Sequence, residues 1–146
     1  MATFPRVQTH VQAEIDEVVG AGRQITSADR PSLVYTEVTI TEVLRLPAIT
    51  PFGLPKFTMC DTTIGGHDIN KDTVVLFNQF SSCYKRNFWE DPEAFRSERF
   101  ITDGGKLVQT KTSHLMTLWL GRRRCVGEAF ARLQVFVVFS CSVAGS

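Results

Sequence analysis

Asp29-Arg30-Pro31-Ser32-Leu33-Val34-Tyr35-Thr36-Glu37-Val38-Thr39-Ile40-Thr41-Glu42-Val43-Leu44-Arg45-Leu46 admits two readings, and the choice between them decides the fold. Val34, Tyr35, Thr36, Val38, Thr39, Ile40, Thr41 and Val43 are β-branched or aromatic, and Val34, Val38 and Ile40 keep a period of two, all of which favours a strand. Pro31 suits the first turn of a helix. Glu42 and Arg45 tip the balance. Residues at i and i+3 share one face of a helix but point to opposite faces of a strand, so this pair acts as a unit only in a helix. A helix over residues 31–46 is expected.

Outward from this segment, Val7, Val11, Ile15 and Val18 form one stripe, Gln8, Gln12, Glu14 and Asp16 lie off it, and Gly20 follows as a stop. This predicts a helix over residues 5–19, and Met1 stands so close to the pattern that a helix beginning further upstream in a longer parent is expected. Downstream, Pro47, Pro51 and Pro55 forbid regular helix, and the chain is expected to run extended there. Residues 56–60, 62–64, 67–69 and 73–77 read as small β elements, with Gly65-Gly66 as a tight turn. From Asn78 the chain turns irregular and aromatic, with Phe80, Tyr84, Phe88, Trp89, Phe95 and Phe100, and residues 102–112 make a polar loop. So long a stretch without structure of its own is functional or held by a partner. Residues 128–139 have helical length. The fold class is therefore mainly α with a small β-sheet (α+β), as one partial domain over residues 1–146. Its parts are helices within 5–46, a small β region at 47–77, an irregular meander at 78–120, and a basic loop with its following helix at 121–139.

The 146 residues are 43% hydrophobic and 21% charged, with 16 Lys and Arg against 15 Asp and Glu and a formal charge of +1. That balance excludes a disordered chain, and it excludes one that holds nucleic acid or an anionic membrane by bulk charge. No nucleic-acid partner is expected. The most apolar segment, Val135 to Val138, is far too short for a membrane span, and the first residues carry no apolar secretory core. Neither an anchor nor a signal is expected within these residues. Cys60, Cys83, Cys125 and Cys141 form no C-x-x-C pair, and His10, His67 and His114 are scattered, so neither a zinc knuckle nor a disulfide framework is expected.

Gly121-Arg122-Arg123-Arg124-Cys125-Val126-Gly127-Glu128 carries the chemistry. A thiol at a helix start beside three guanidinium groups sits in a positive field that favours the thiolate, the form that binds metal or attacks electrophiles. Flanking glycines let the backbone approach a flat ligand. On this string alone, Cys125 reads as a soft anionic ligand, as a buried small hydrophobe beside a solvated basic turn, or as a nucleophile that still needs a histidine base.

The string resembles the haem-binding loop of the cytochrome P-450 family, the haem-thiolate monooxygenases, with pattern F-x-x-G-x-R-x-C-x-G. Two further marks stand upstream in order. Glu42-x-x-Arg45 is similar to the family's E-x-x-R helix, and Trp89-x-Asp91-Pro92-x-x-Phe95-x-x-Glu98-Arg99-Phe100 to its W-x-D-P-x-x-F-x-P-E-R-F segment. Together they cover Val11 to about Val138, and the wording is most similar to animal microsomal members. The fold implied is the C-terminal part of the family's fold. By this resemblance Cys125 is the axial ligand of haem iron, a thiolate that favours O–O cleavage. Arg123 binds one haem propionate, Lys56 reaches the other or is an exposed strand lysine, and Gly121, Val126 and Gly127 complete the loop. Glu42, Arg45 and Arg99 form a buried ion-pair network, or else Glu42 and Arg45 are an exposed helix pair. Ala48, Ile49, Thr50 and Phe52 line the pocket of a small apolar substrate, or are ordinary core.

The resemblance further implies electrons from NADPH through a flavin reductase that docks on basic residues, for which Arg122, Arg124, Lys85 and Arg86 are candidates. It implies an endoplasmic-reticulum membrane location for a full-length parent. The chain departs from the pattern at Leu118 and Trp119, where an aromatic and a small residue are usual, at Ser97 for proline, and at Asn70-Lys71-Asp72-Thr73 for P-K-G-T. A thiolate without its shielding ring is expected to be wetter, with a shifted iron potential. The tail Ser140-Cys141-Ser142-Val143-Ala144-Gly145-Ser146 does not resemble the family. The family's anchor, distal helix and acid–alcohol pair are not among these residues, so the chain alone is expected not to turn over substrate. The other reading is a non-catalytic truncated product or binding module.

Overall fold

The computed structural model describes residues 3–115, 122 and 124–145. Helix α1 (Pro5–Val18) begins on a proline, whose missing N–H is no loss in a first turn, and buries Val11 and Ile15. It ends where Val19 N and Gly20 N both donate to Ile15 O, at 2.8 and 3.4 Å, with Gly20 at φ +71°.

Pro31 opens no α-helix, which corrects the expected start at 31. It lies inside a 3₁₀ helix (Ser27–Ser32), and Leu33, at φ −96° and ψ 63°, breaks the chain before helix α2 (Val34–Arg45) begins. The reason is local. Thr26 N and Oγ1 donate to Asp29 Oδ2 at 2.8 and 3.0 Å, and Arg23 grips the same carboxylate at 2.8 and 2.6 Å, which closes a tight turn of its own. These donors hold the Asp29 carboxyl well below the usual carboxylate range.

α2 is a helix despite its strand-prone composition because its threonines find partners on every side. Thr36 Oγ1 donates to Glu14 Oε2 at 2.7 Å, Thr39 Oγ1 to Ser97 Oγ at 3.2 Å, and Thr41 Oγ1 to Glu37 O at 2.8 Å. Its first turn has no side-chain cap of its own. Glu14 supplies one from α1, accepting from Tyr35 N at 2.7 Å and Thr36 N at 2.8 Å. Ile40 joins a core with Val11, Ile15, Leu33 and Phe136, while Val38 joins a second with Cys83, Trp89, Phe100 and Leu115. A helix buried on two sides cannot show a single clean apolar stripe.

Residues 47–54 turn rather than run extended, a second correction. Ala48 sits at φ +40° and Gly53 at φ +57°, with Ala48 N donating to Arg45 O at 3.2 Å and Gly53 N to Thr50 O at 3.1 Å. Strand β1 (Lys56–Phe57) then pairs antiparallel with β4 (Val74–Val75), and β2 (Thr62–Ile64) with β3 (His67–Ile69). The expected strands at 56–60 and 73–77 shrink to two residues each. Gly65 and Gly66, at φ +59° and +85°, make the two-residue turn that needs left-handed backbone at both positions.

Among the described residues of the stretch expected to be an irregular meander, short regular elements occur. Helix α3 (Gln79–Cys83), capped by Asn78 Oδ1 accepting from Ser81 N at 2.9 Å, a 3₁₀ turn (Ser97–Phe100) and helix α4 (Gln109–Ser113) lie within it. Helix α5 (Glu128–Ala144) runs five residues past the expected end at 139 and takes in most of the divergent tail. That tail packs: Val143 is buried, and Gln12 Nε2 donates to Val143 O at 3.1 Å. Among the described residues the protein is mainly helical with two small two-stranded sheets. No helix among the described residues is long and apolar enough to cross a membrane.

Candidate functional site

Glu42 and Arg45 share one face of α2, and the sequence folds so that the chain from Cys83 to Phe100 wraps that face. Arg45 holds Glu42 in a bidentate pair, Nε to Oε2 at 2.7 Å and Nη2 to Oε1 at 2.9 Å, and both side chains are fully buried. Arg99 Nε donates to Glu42 Oε1 at 3.2 Å, with its side chain 3% exposed. Arg96 N donates to the same oxygen at 3.0 Å. One carboxylate against two guanidinium groups leaves an excess positive charge, and backbone carbonyls absorb it. Arg45 Nη1 donates to Cys83 O at 2.8 Å, Arg99 Nη1 to Glu90 O at 2.7 Å, and Arg99 Nη2 to Ala94 O at 2.9 Å and Asp91 O at 3.1 Å. Burial, only partly offset by the Glu42 charge, pulls the Arg99 guanidinium below its ordinary value.

Trp89 lies within reach of both cations, its ring centre 5.4 Å from Arg45 Cζ and 6.0 Å from Arg99 Cζ, and its Nε1 donates to Ser82 O at 2.8 Å. Its aromatic character in the motif was legible; its contact with both guanidinium groups was not. Ser97, which stands where the pattern has proline, is fully buried and accepts from Thr39, so this departure brings its own hydrogen bond.

Cys125 stands just ahead of α5, its carbonyl accepting from Glu128 N at 3.3 Å. Its thiol is exposed in an open hollow of roughly 660 Å³ lined by Arg122, Arg124, Cys125, Val126, Glu128, Ala129 and Arg132. Val126 is fully exposed and Phe130 is 65% exposed on the same turn of chain. A Cβ on Gly127 would meet Cys125 Sγ at 3.8 Å, an ordinary contact, so the space Gly127 leaves is open to a ligand rather than filled by protein. Arg132, held by Glu128 Oε1 at 3.0 Å, is a third described cation at the hollow; the i,i+4 spacing of this pair was its only sequence signal. Gly121 and Arg123, like Leu118 and Trp119, lie outside the described residues.

The other cysteines stand elsewhere. Cys83 is in the second core, where burial pushes its thiol up, and Cys60 and Cys141 are exposed on the β region and on α5. No histidine is among the described residues lining the hollow, since His114 stacks on Phe88 at 3.8 Å, His10 meets the edge of Tyr35, and His67 is in β3. The nucleophile reading therefore has no base there.

Of the four residues assigned to a substrate pocket, Ile49 and Phe52 are exposed, Ala48 is buried within the fold, and Thr50 donates to Gln79 Oε1 at 2.9 Å. Lys56 opens β1 opposite Val75. Lys85, Arg86, Arg122 and Arg124 are exposed, and Arg86 Nη2 reaches Glu93 Oε1 at 2.6 Å.

The sequence is similar to known proteins. The family model described as Cytochrome P450 matches residues 1–143. The chain is 41% identical over 137 residues to Cytochrome P450 1A1 of Oryctolagus cuniculus, covering 94% of this chain and 26% of that protein. It is 42% identical over 138 residues to Cytochrome P450 1A2 of the same species, with 94% and 27% covered. To Cytochrome P450 1A5 of Gallus gallus it is 37% identical over 141 residues, with 96% and 27% covered. The chain thus spans about a quarter of the length of the curated relatives it matches.

Proposed function

Because this chain belongs to the cytochrome P450 family, we propose that it carries the thiolate side of a haem-dependent monooxygenase, with Cys125 as the axial ligand of the iron. The observation that carries this reading is the exposed thiol of Cys125 at the foot of α5, in an open hollow with cations and apolar side chains around it. The donor set fits haem: a soft sulfur for iron, guanidinium groups for carboxylates, and Val126 and Ala129 as apolar surface for a flat ring. Bound there, haem supplies the chemistry by which one atom of O2 enters an apolar organic substrate and the other leaves as water.

The protein's own residues do the rest. Cys125 would present the sulfur to the haem, and Gly121, Val126 and Gly127 would complete the loop that holds it. Arg123 and Lys56 are assigned to the two propionates. The Glu42, Arg45 and Arg99 network keeps the meander from drifting away from α2. Ile49 and Phe52, both exposed, are assigned to the substrate side. Electrons come from NADPH through a flavin reductase docked on Lys85, Arg86, Arg122 and Arg124, and the whole protein resides at the endoplasmic-reticulum membrane. The 146 residues by themselves are assigned haem binding and not turnover, since they span about a quarter of their relatives' length.

Haem titration tests this. Uptake of one equivalent, with a red-shifted Soret band on reduction under carbon monoxide that is lost in Cys125→Ser, is the expected result. No uptake, or a spectrum that Cys125→Ser leaves unchanged, would overturn the assignment.

A further inference from the structure

The chain over residues 46–51 is tied to residues 79–84 by three hydrogen bonds, one of which joins two side chains. Tyr84 Oη, just past α3, donates to Leu46 O, and Phe80 N donates to Pro51 O at 3.0 Å. The third is Thr50 Oγ1 donating to Gln79 Oε1 at 2.9 Å. Gln79 is 4% exposed, an unusual place for an amide, while Thr50 is at the surface between Ile49 and Phe52, which are 74% and 54% exposed. α3 is itself held to the buried network, since Cys83 O accepts from Arg45 Nη1 at 2.8 Å and Arg45 Cζ lies 5.9 Å from the Tyr84 ring centre.

A turn that carries left-handed backbone at Ala48 and Gly53 does not hold its shape unaided. Thr50 lies between those two positions, so whatever fixes Thr50 fixes the directions of its neighbours Ile49 and Phe52. We propose that Gln79 is a positioning residue for substrate selection: through Thr50 it sets the orientation of Ile49 and Phe52 toward an apolar ligand. This rests on the reading above that the loop faces the substrate. Gln79 itself touches no ligand.

Hydrogen exchange and probe binding on the 146-residue chain test it, with N-phenyl-1-naphthylamine as the apolar probe. Gln79→Leu removes the acceptor and Thr50→Val the donor, while Thr50→Ser keeps the hydroxyl. The amides of Ile49, Thr50, Phe52 and Gly53 are expected to lose about tenfold protection in Gln79→Leu and in Thr50→Val, and no more in the double variant, the amount one such hydrogen bond holds. Thr50→Ser restores protection, amides of residues 36–44 are unchanged, and probe affinity falls severalfold in the same variants that loosen the loop. Thr50→Val alters an exposed side chain and so reports even where Gln79→Leu fails to fold. Unchanged loop exchange in Thr50→Val overturns the positioning role. A loosened loop with unchanged probe affinity overturns the proposal through the substrate-facing reading beneath it. Haem uptake, the same in all four variants, tells either failure apart from a failure of the Cys125 assignment.

Discussion

Arg99 lies 57 residues beyond Glu42, yet its Nε is 3.2 Å from Glu42 Oε1. That contact joins the meander to α2 through two ionised groups that water barely reaches. Removing one member leaves a buried charge unpaired, whereas the same pair at a surface would matter little. Glu42→Gln is expected to cost roughly 3–5 kcal/mol in denaturant unfolding. Arg99→Lys is expected to fail as a substitute, because a point charge cannot serve Glu42 and the carbonyls of Glu90, Asp91 and Ala94 together. Wild-type stability in Glu42→Gln would show that the network is structurally idle.

Glu14 is the cap that α2 lacks in its own sequence. Glu14→Ala removes the acceptor of two backbone N–H groups and one hydroxyl, and is expected to cost about 1–2 kcal/mol. The amides of Tyr35 and Thr36 lose exchange protection first. Asp16→Ala, at an exposed position of the same helix, is the control and stays within about 0.5 kcal/mol.

Tyr35 Oη donates to Glu98 Oε1 at 3.1 Å, and burial, then the Glu98 charge, pushes the phenol up to about 12. The folded state therefore keeps a proton that the unfolded chain releases near pH 10. The stabilisation is fully present below pH 10 and is lost as pH rises toward 12. Denaturant unfolding across that range is expected to decline less steeply in Tyr35→Phe; identical slopes would remove Tyr35 as the cause.

Ser140 is fully buried in α5, and its Oγ has no hydrogen-bond partner among the described residues. A buried hydroxyl left unpaired carries its desolvation cost with no return, so Ser140→Ala is expected to stabilise by roughly 1 kcal/mol. A loss of stability in thermal unfolding would mean that the hydroxyl has a partner after all.

Asp72 holds φ +62° in a turn where the family pattern has glycine. Glycine accepts that backbone freely, aspartate tolerates it, and a β-branched residue does not. Asp72→Gly is expected to stay within about 0.5 kcal/mol and Asp72→Val to cost about 1–2 kcal/mol. Equal unfolding midpoints for the two would show that this backbone angle constrains nothing.

What the sequence by itself determined lies in short spacings. Val7, Val11, Ile15 and Val18 marked α1, and Glu42 and Arg45 marked α2 as a helix against its own strand-prone residues, because side chains at i, i+3 and i+4 meet in any helix whatever surrounds it. Gly65-Gly66 marked the β2–β3 turn, since few residues accept left-handed backbone twice in succession. The order of three motifs placed the chain in its family.

What only the tertiary structure decided lies in contacts between distant segments. Thr36, Thr39 and Thr41 became helical because Glu14, Ser97 and Glu37 O receive their hydroxyls, and two of those three partners come from other parts of the chain. α2 starts after Leu33 rather than at Pro31 because Arg23, Thr26 and Asp29 close a turn first. α5 continues through the divergent tail because Val143 and Gln12 meet across the α1 interface. Gln79 carried no signal of any kind until Thr50 was found against it. Local periodicity is a property of one helix or strand and can be read along the chain. The partner of a buried polar group is a property of the packed chain, because the cost of leaving it unpaired is felt only once water is excluded.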